Sequence, residues 1–399
     1  MPNKETQTPR RRKVKSNKAQ RTRTVIWAVI ILTVVVLAVL KIWEVDFNSI
    51  KRNISKNSEN GIIASVSDSI YPYSLDSSKN IEIVPQNDKL NILTDISTTI
   101  LNPTTGKKEY GESHGYSNPI MRTAGSYFVI YDQGADRFRL DTLTKKVYEN
   151  ENTESPVLTA DVASNGSVIY ALKSGTNKSL VTVINKNRSK LLENEIKGSY
   201  VVYVAIDSSG RHCAYATVSS ENAVLVTTVH TINVGDKKER GEFKFEGSHV
   251  LDLRYCGANL YVVCDDSVSY IGNQHKLKSV FGKSEVNTCC FNYTSEGELV
   301  YVYSKYSSAN ENILAYINEN GKVKTSVELS QRPKYVSSAS KEMTVLFPDK
   351  IVTYSLKTGE EKGSAPCDDS VIAAHKLSTK CFICRHQVID ITEIKAKEK

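Results

Sequence analysis

The stretch MRTAGSYFVIYDQ, residues 121–133, holds a short strand-forming segment, a polar turn around a glycine, and a second, almost wholly apolar strand that ends on an acid. By itself it reads as a hairpin. The same order recurs as VPQNDKLNILTD (84–95), DVASNGSVIYALK (161–173), VAIDSSGRHCAYAT (204–217), LDLRYCGANLYVVCD (251–265), CFNYTSEGELVYVYS (290–304), YVSSASKEMTVLFPD (335–349) and VIAAHKLSTKCFICRH (371–386). The second strands of these eight copies begin near Leu90, Tyr127, Val168, Cys213, Leu260, Leu299, Met343 and Cys381, in steps of 37, 41, 45, 47, 39, 44 and 38 residues. That period belongs to four-stranded propeller blades.

Most copies continue with a third strand, a polar turn and a fourth strand, as in TTILNPTTGKKEYGE (98–112), NILAYINENGKVKTSVEL (312–329) and KIVTYSLKTGEEKGSA (350–365). A blade of four antiparallel strands has two faces to cover. Stacking neighbours into a closed ring covers both, whereas a β-sandwich offers no reason for a sustained period near 41 residues. The expected fold is all-β: an eight-bladed β-propeller of four-stranded antiparallel blades, with seven blades as the alternative count. In the last copy QVIDITEI (387–394) is followed only by KAKEK, so that blade lacks a fourth strand. The apolar run GIIASV, Gly61–Val66, is expected to become its outer strand and close the ring.

Working outward from the repeats, VIWAVIILTVVVLAVL, Val25–Leu40, is sixteen residues without a charge. A helix continuing to Val45 rises roughly 30 Å, enough to cross a bilayer, and Trp27 and Trp43 then stand about 24 Å apart at the two interfaces. No small-x-small cleavage pattern follows, which favours a retained anchor over a signal peptide. The division expected is a basic tail (1–23), a transmembrane helix (24–45), a polar tether (46–60) and the propeller (61–399). Residues 1–23 carry nine bases and one acid, so they account for the whole net charge of +8. That asymmetry predicts a cytoplasmic tail and an extracytoplasmic body. The body is neutral, which argues against nucleic acid as a partner.

In a propeller the turns between second and third strands emerge on the same face as the links between blades. Asp95, Asp132, Asp265, Asp266 and Asp349 fall at such turns, and His114, Tyr116, Arg332 and Asp368 in such links. The candidate binding face is accordingly built on His114, Tyr116, Asp132, Asp265, Asp266, Arg332 and Asp349. Aspartate also favours turns by bonding its own backbone, which is the structural alternative. The eight cysteines fall mostly in expected core strands and read as mostly free, buried thiols, although an even number outside the membrane also permits disulfides. Cys381 and Cys384 have C-x-x-C spacing, but on a strand they face opposite ways. No Cys or His pairs stand at metal-site spacing, and no nucleophile elbow, zinc-protease or phosphate-loop motif is present. No cofactor, metal or catalytic residue is expected on these grounds.

The tail, anchor and tether, together with HGYSNPIMRTAGSYFVIYDQGADRFRLDTL (114–143), resemble an uncharacterised family of single-pass, membrane-anchored, quinoprotein- or WD40-like propeller proteins of Gram-positive bacteria. Tyr131, Asp132, Gly134 and Leu140 carry the best local likeness, and Ala135 departs from a second glycine. The resemblance implies location and fold and brings no activity. The expected function is that of a non-enzymatic binding or scaffolding protein of the cell envelope, engaging an envelope protein or cell-wall polymer. The alternative is an anchored enzyme acting on envelope polymers or peptides through the propeller channel.

Overall fold

In the computed structural model, second strands begin at Lys89, Tyr127, Val168, His212, Asn259, Leu299, Glu342 and Lys380, each within one residue of the position read from the repeats. The structure describes residues 71–76, 81–175, 178–305 and 311–397. Eight antiparallel sheets, each built on four strands, follow one another in chain order, so there are eight blades and not seven. First strands of neighbouring blades touch one another, which places them around the axis.

The second strand of blade 2, Tyr127–Asp132, shows why the repeats were apolar on both faces. Phe128 and Ile130 enter a core shared with Leu93 and Ile100 of blade 1. Val129 and Tyr131 point the other way, into a core with Val162 and Val168 of blade 3. Period-two alternation thus feeds two interfaces, and neither face meets water. Among the described residues there are eight such apolar clusters, one per interface, including one that joins Ile83, Leu90 and Ile92 of blade 1 to Phe382, Cys384 and Ile389 of blade 8. The ring is closed by packing.

Blade 8 contributes Ala373–Leu377, Lys380–Arg385 and Val388–Thr392, and its fourth strand is Tyr73–Ser74, paired as Tyr73 with Ile389 and Ser74 with Val388. The edge expected for Gly61–Val66 is therefore taken by a segment further along the chain, and Gly61–Val66 lies outside the described residues. The reason is side-chain fit: Tyr71, Tyr73 and Leu75 pack against the blade 8/blade 1 core, with the Tyr71 ring centroid 5.5 Å from that of Phe382. KAKEK also departs from expectation. Lys395–Ala396 crosses to blade 7 and adds a fifth strand beside Gly363 and Ser364. Glycine is needed there, because a Cβ on Gly363 would collide with the Lys395 carbonyl.

The expected membrane span, Val25–Leu40, lies outside the described residues. Among the described residues no helix is long and apolar enough to cross a membrane.

Candidate functional site

Each residue of the expected binding face sits where a second-to-third-strand turn meets an inter-blade link. The Asp132 carboxylate accepts bonds from the backbone N–H groups of Ser117 (3.0 Å) and Asn118 (2.7 Å), and lies 3.5 Å from the Arg137 guanidinium. His114 accepts the Tyr116 backbone N–H at Nδ1 (3.1 Å), which leaves the proton on Nε2, donated to the Thr94 carbonyl at 3.0 Å. Burial pushes the His114 imidazole below its usual range. The Tyr116 hydroxyl reaches Glu149 at 3.1 Å, and the Arg137 guanidinium lies 5.2 Å from the Tyr116 ring centroid. His114, Tyr116 and Asp132 are thus one cluster at the blade 1/blade 2 link.

The other candidates stay apart from it. Asp265 accepts the His249 backbone N–H (2.9 Å), and Asp266 accepts the Ser248 hydroxyl (3.1 Å) on blade 5. Asp349 accepts the Gln331 side-chain amide (2.8 Å) beside the exposed Arg332 at the entry to blade 7. Asp368 meets Arg385 at 3.0 Å, and its bonds to Ser370 and Arg385 hold its carboxyl down at about 2. These acids tie loops to their own blades, and their geometry shapes a surface they only partly line.

The open concavity on this rim lies between two of those clusters. A cavity of about 560 Å³ is lined by Gln133 and Gly134, which follow Asp132, by His249 and Val250, held by Asp265, and by Leu158, Tyr200, Val201, Val202, Tyr203, Val218, Leu225 and Thr227. Its wall is the hairpin of blade 4, whose strands His212–Glu221 and Val224–Asn233 run 10 residues each. The second and third strands elsewhere have between 4 and 7 residues. Asn222 (φ 51°) and Ala223 (φ 63°) turn the tip in the left-handed region, as a two-residue hairpin requires, and alanine there carries strain. Val224 at the tip is 45% exposed and Tyr200 at the base 37%. The sequence nominated the flanking acids and missed this wall. Its signal was the longest repeat step, 47 residues, between blades 4 and 5.

The channel is polar and self-bonded. Arg122 of blade 2 forms a two-pronged ion pair with Asp252 of blade 5, one prong of 3.3 Å. In return Arg254 of blade 5 donates to the Thr123 carbonyl of blade 2 (2.9 Å) and lies 5.7 Å from the Tyr293 ring centroid. Asn292, Tyr335 and His375 link blades 6, 7 and 8 through contacts of 3.3 and 3.2 Å. Burial drives His375 down to about 4, so it is neutral at physiological pH. Glu82 of blade 1 is reached by channel solvent but enclosed by protein, and that desolvation raises its carboxyl to about 7 against the pull of Arg122, the Met121 backbone and Arg254.

A proton held by the fold up to about pH 7, and by the unfolded chain only to about 4.5, stabilises the fold fully at low pH. That contribution is lost as pH rises through 7. Wild-type stability is therefore expected to fall relative to Glu82→Gln between pH 5 and pH 8 in urea titrations. Parallel pH profiles would show the carboxyl to be unperturbed.

The cysteines serve packing. All eight are free; Cys381 enters the blade 7/blade 8 core and Cys384 the blade 8/blade 1 core, opposite faces of one strand. Burial lifts both thiols to about 12, far from reactive thiolates.

The propeller is similar in fold to the computationally designed Ika8 protein, with TM-score 0.57 and 11% identity over 82% of this chain and 98% of that one. It is also similar to the C-terminal WD40 domain of Sif2 (TM-score 0.53, 11% identity, 80% and 97% coverage) and to BamB from Moraxella catarrhalis (TM-score 0.50, 8% identity, 81% and 99% coverage). At these identities the likeness is one of fold alone. No curated protein matches the chain. Residues 76–394 match the model described as Family of unknown function (DUF5711), which spans nearly all of the propeller, and the chain therefore belongs to that family.

Proposed function

We propose that this protein is a non-enzymatic binding or scaffolding propeller of a Gram-positive cell envelope. Val25–Leu40 holds it in the membrane, the basic tail lies in the cytoplasm, and the propeller stands outside to engage an envelope protein or cell-wall polymer. The observation that carries the binding reading is the apolar cavity under the projecting hairpin of blade 4, open on the rim where loops meet. Exposed apolar surface beside a rigid scaffold is what a docking partner covers.

The alternative, an envelope enzyme acting through the channel, draws on Glu82, whose carboxyl titrates near neutrality. Against it, Arg122 bonds Asp252 and Arg254 bonds the Thr123 carbonyl across the axis, which narrows the space a substrate needs.

A photo-crosslinking residue placed at Tyr200 or Val224 of the full-length protein in cells is expected to capture one discrete envelope component. The same probe at Lys357, on the opposite face, is expected to capture none. Recovery of only lipid and bulk envelope protein from all three positions would overturn the docking reading.

A further inference from the structure

The third and fourth strands of blade 4, Val224–Asn233 and Lys238–Glu246, set His230 directly opposite Glu242. One step on, Thr231 pairs with Gly241 and Ile232 with Glu239, so Arg240 is an extra, bulged residue. On a regular strand Glu239 would face away from Glu242. The bulge shifts the phase by one residue and returns Glu239 to the face that carries His230. One donor atom from each of His230, Glu239 and Glu242 then lies within 4.8 Å of the other two, and this is the only such group among the described residues.

The donors differ in burial. The His230 ring is stacked on Tyr215, centroids 4.7 Å apart at 19°, and Tyr215 is itself buried in the blade 3/blade 4 core. The His230 side chain is only 16% exposed, and its Nδ1 lies 3.0 Å from Glu239 Oε1. The carboxylates stand on the open side. A single His–Glu ion pair would need one acid. Here a second carboxylate is brought in; Lys244, which feels the charge of Glu242, bonds Glu221, and Arg240 bonds Asp236. Two anions held this close repel one another unless a cation joins them.

We propose that His230, Glu239 and Glu242 bind a divalent transition metal ion, with zinc as the fitting member of that class. One imidazole nitrogen and two carboxylates supply three protein ligands. The open side leaves a fourth position for water or for a group from a partner. A nitrogen donor selects against calcium and magnesium, which take oxygen cages. This site stands near the outer edge of blade 4, away from the rim cavity, and does not depend on the docking reading.

The test is calorimetric titration of zinc into full-length protein in detergent micelles, carrying a purification tag without histidine. Wild type is compared with His230→Ala and with the double variant Glu239→Gln/Glu242→Gln, each first checked by circular dichroism and metal-free thermal melting for an unchanged fold. The cysteines contribute equally to all three, so the difference reports this site. Both variants are expected to lose one saturable zinc equivalent per chain, and zinc is expected to raise the melting temperature of wild type alone. Magnesium is expected to do neither. Zinc isotherms that superimpose for wild type and both variants would overturn the proposal, as would a wild type with no saturable zinc step.

Discussion

Replacing Arg122 with methionine is expected to cost the propeller about 3–5 kcal/mol, because it leaves Asp252 as a nearly buried carboxylate without its counter-ion. The Asp252 side chain is 6% exposed and that of Arg122 20%, so solvent screens this pair far less than a surface one. Arg254 is no substitute. Its guanidinium already bonds the Thr123 carbonyl and lies over Tyr293. In a chain of this size the loss corresponds to a drop of about 5–10 °C in melting temperature. The double variant Arg122→Met/Asp252→Leu removes both charges and is expected to recover most of the loss, since an apolar pair in such a place is often as stable as the ion pair. Urea unfolding of the four proteins of this cycle gives the coupling energy directly. A single-variant loss below about 1 kcal/mol would assign the bridge to the class of exposed pairs that contribute little.

That bridge also marks where sequence reading runs out. Arg122 and Asp252 stand 130 positions apart, in blades that are not neighbours, and no local pattern links them. The blades themselves were legible because every second strand is apolar on both faces, a signal that repeats whatever the loops do. The turn acids were legible for a related reason: Asp132 and Asp265 bond backbone groups close to them in the fold, as aspartates at turns do. The wall of blade 4 was present only as extra length in one repeat. The His230, Glu239 and Glu242 group was invisible, since it exists only once the cross-strand register and the bulge at Arg240 are known.

The closing strand shows the same limit and yields the second large effect. GIIASV stands out as an apolar run, but two paired residues, Tyr73 and Ser74, are too short to leave any periodic trace. What holds them is the set of neighbours. Tyr71, Tyr73 and Leu75 pack on the blade 8/blade 1 core, the Leu75 N–H donates to the Gln387 carbonyl (2.8 Å), and the Asp76 carboxylate accepts the Thr94 and Ser97 hydroxyls at 2.9 and 2.5 Å. Three half-buried side chains at about 1 kcal/mol each, with hydrogen bonds adding about 1 kcal/mol each, give an expected loss of about 4–6 kcal/mol on deletion through Asp76. Deletion of residues 1–60 is expected to leave propeller stability unchanged. Removal of residues 395–399 is expected to cost about 1 kcal/mol or less, because Lys395 and Ala396 are exposed and only extend the edge of blade 7. Urea unfolding of the three truncated chains tests the order. If deletion through Asp76 costs no more than loss of the C-terminal strand, then packing between blades 8 and 1 closes the ring without the N-terminal segment. In that case the eighth blade is stable with three strands, and the Tyr71–Asp76 segment only shields its edge.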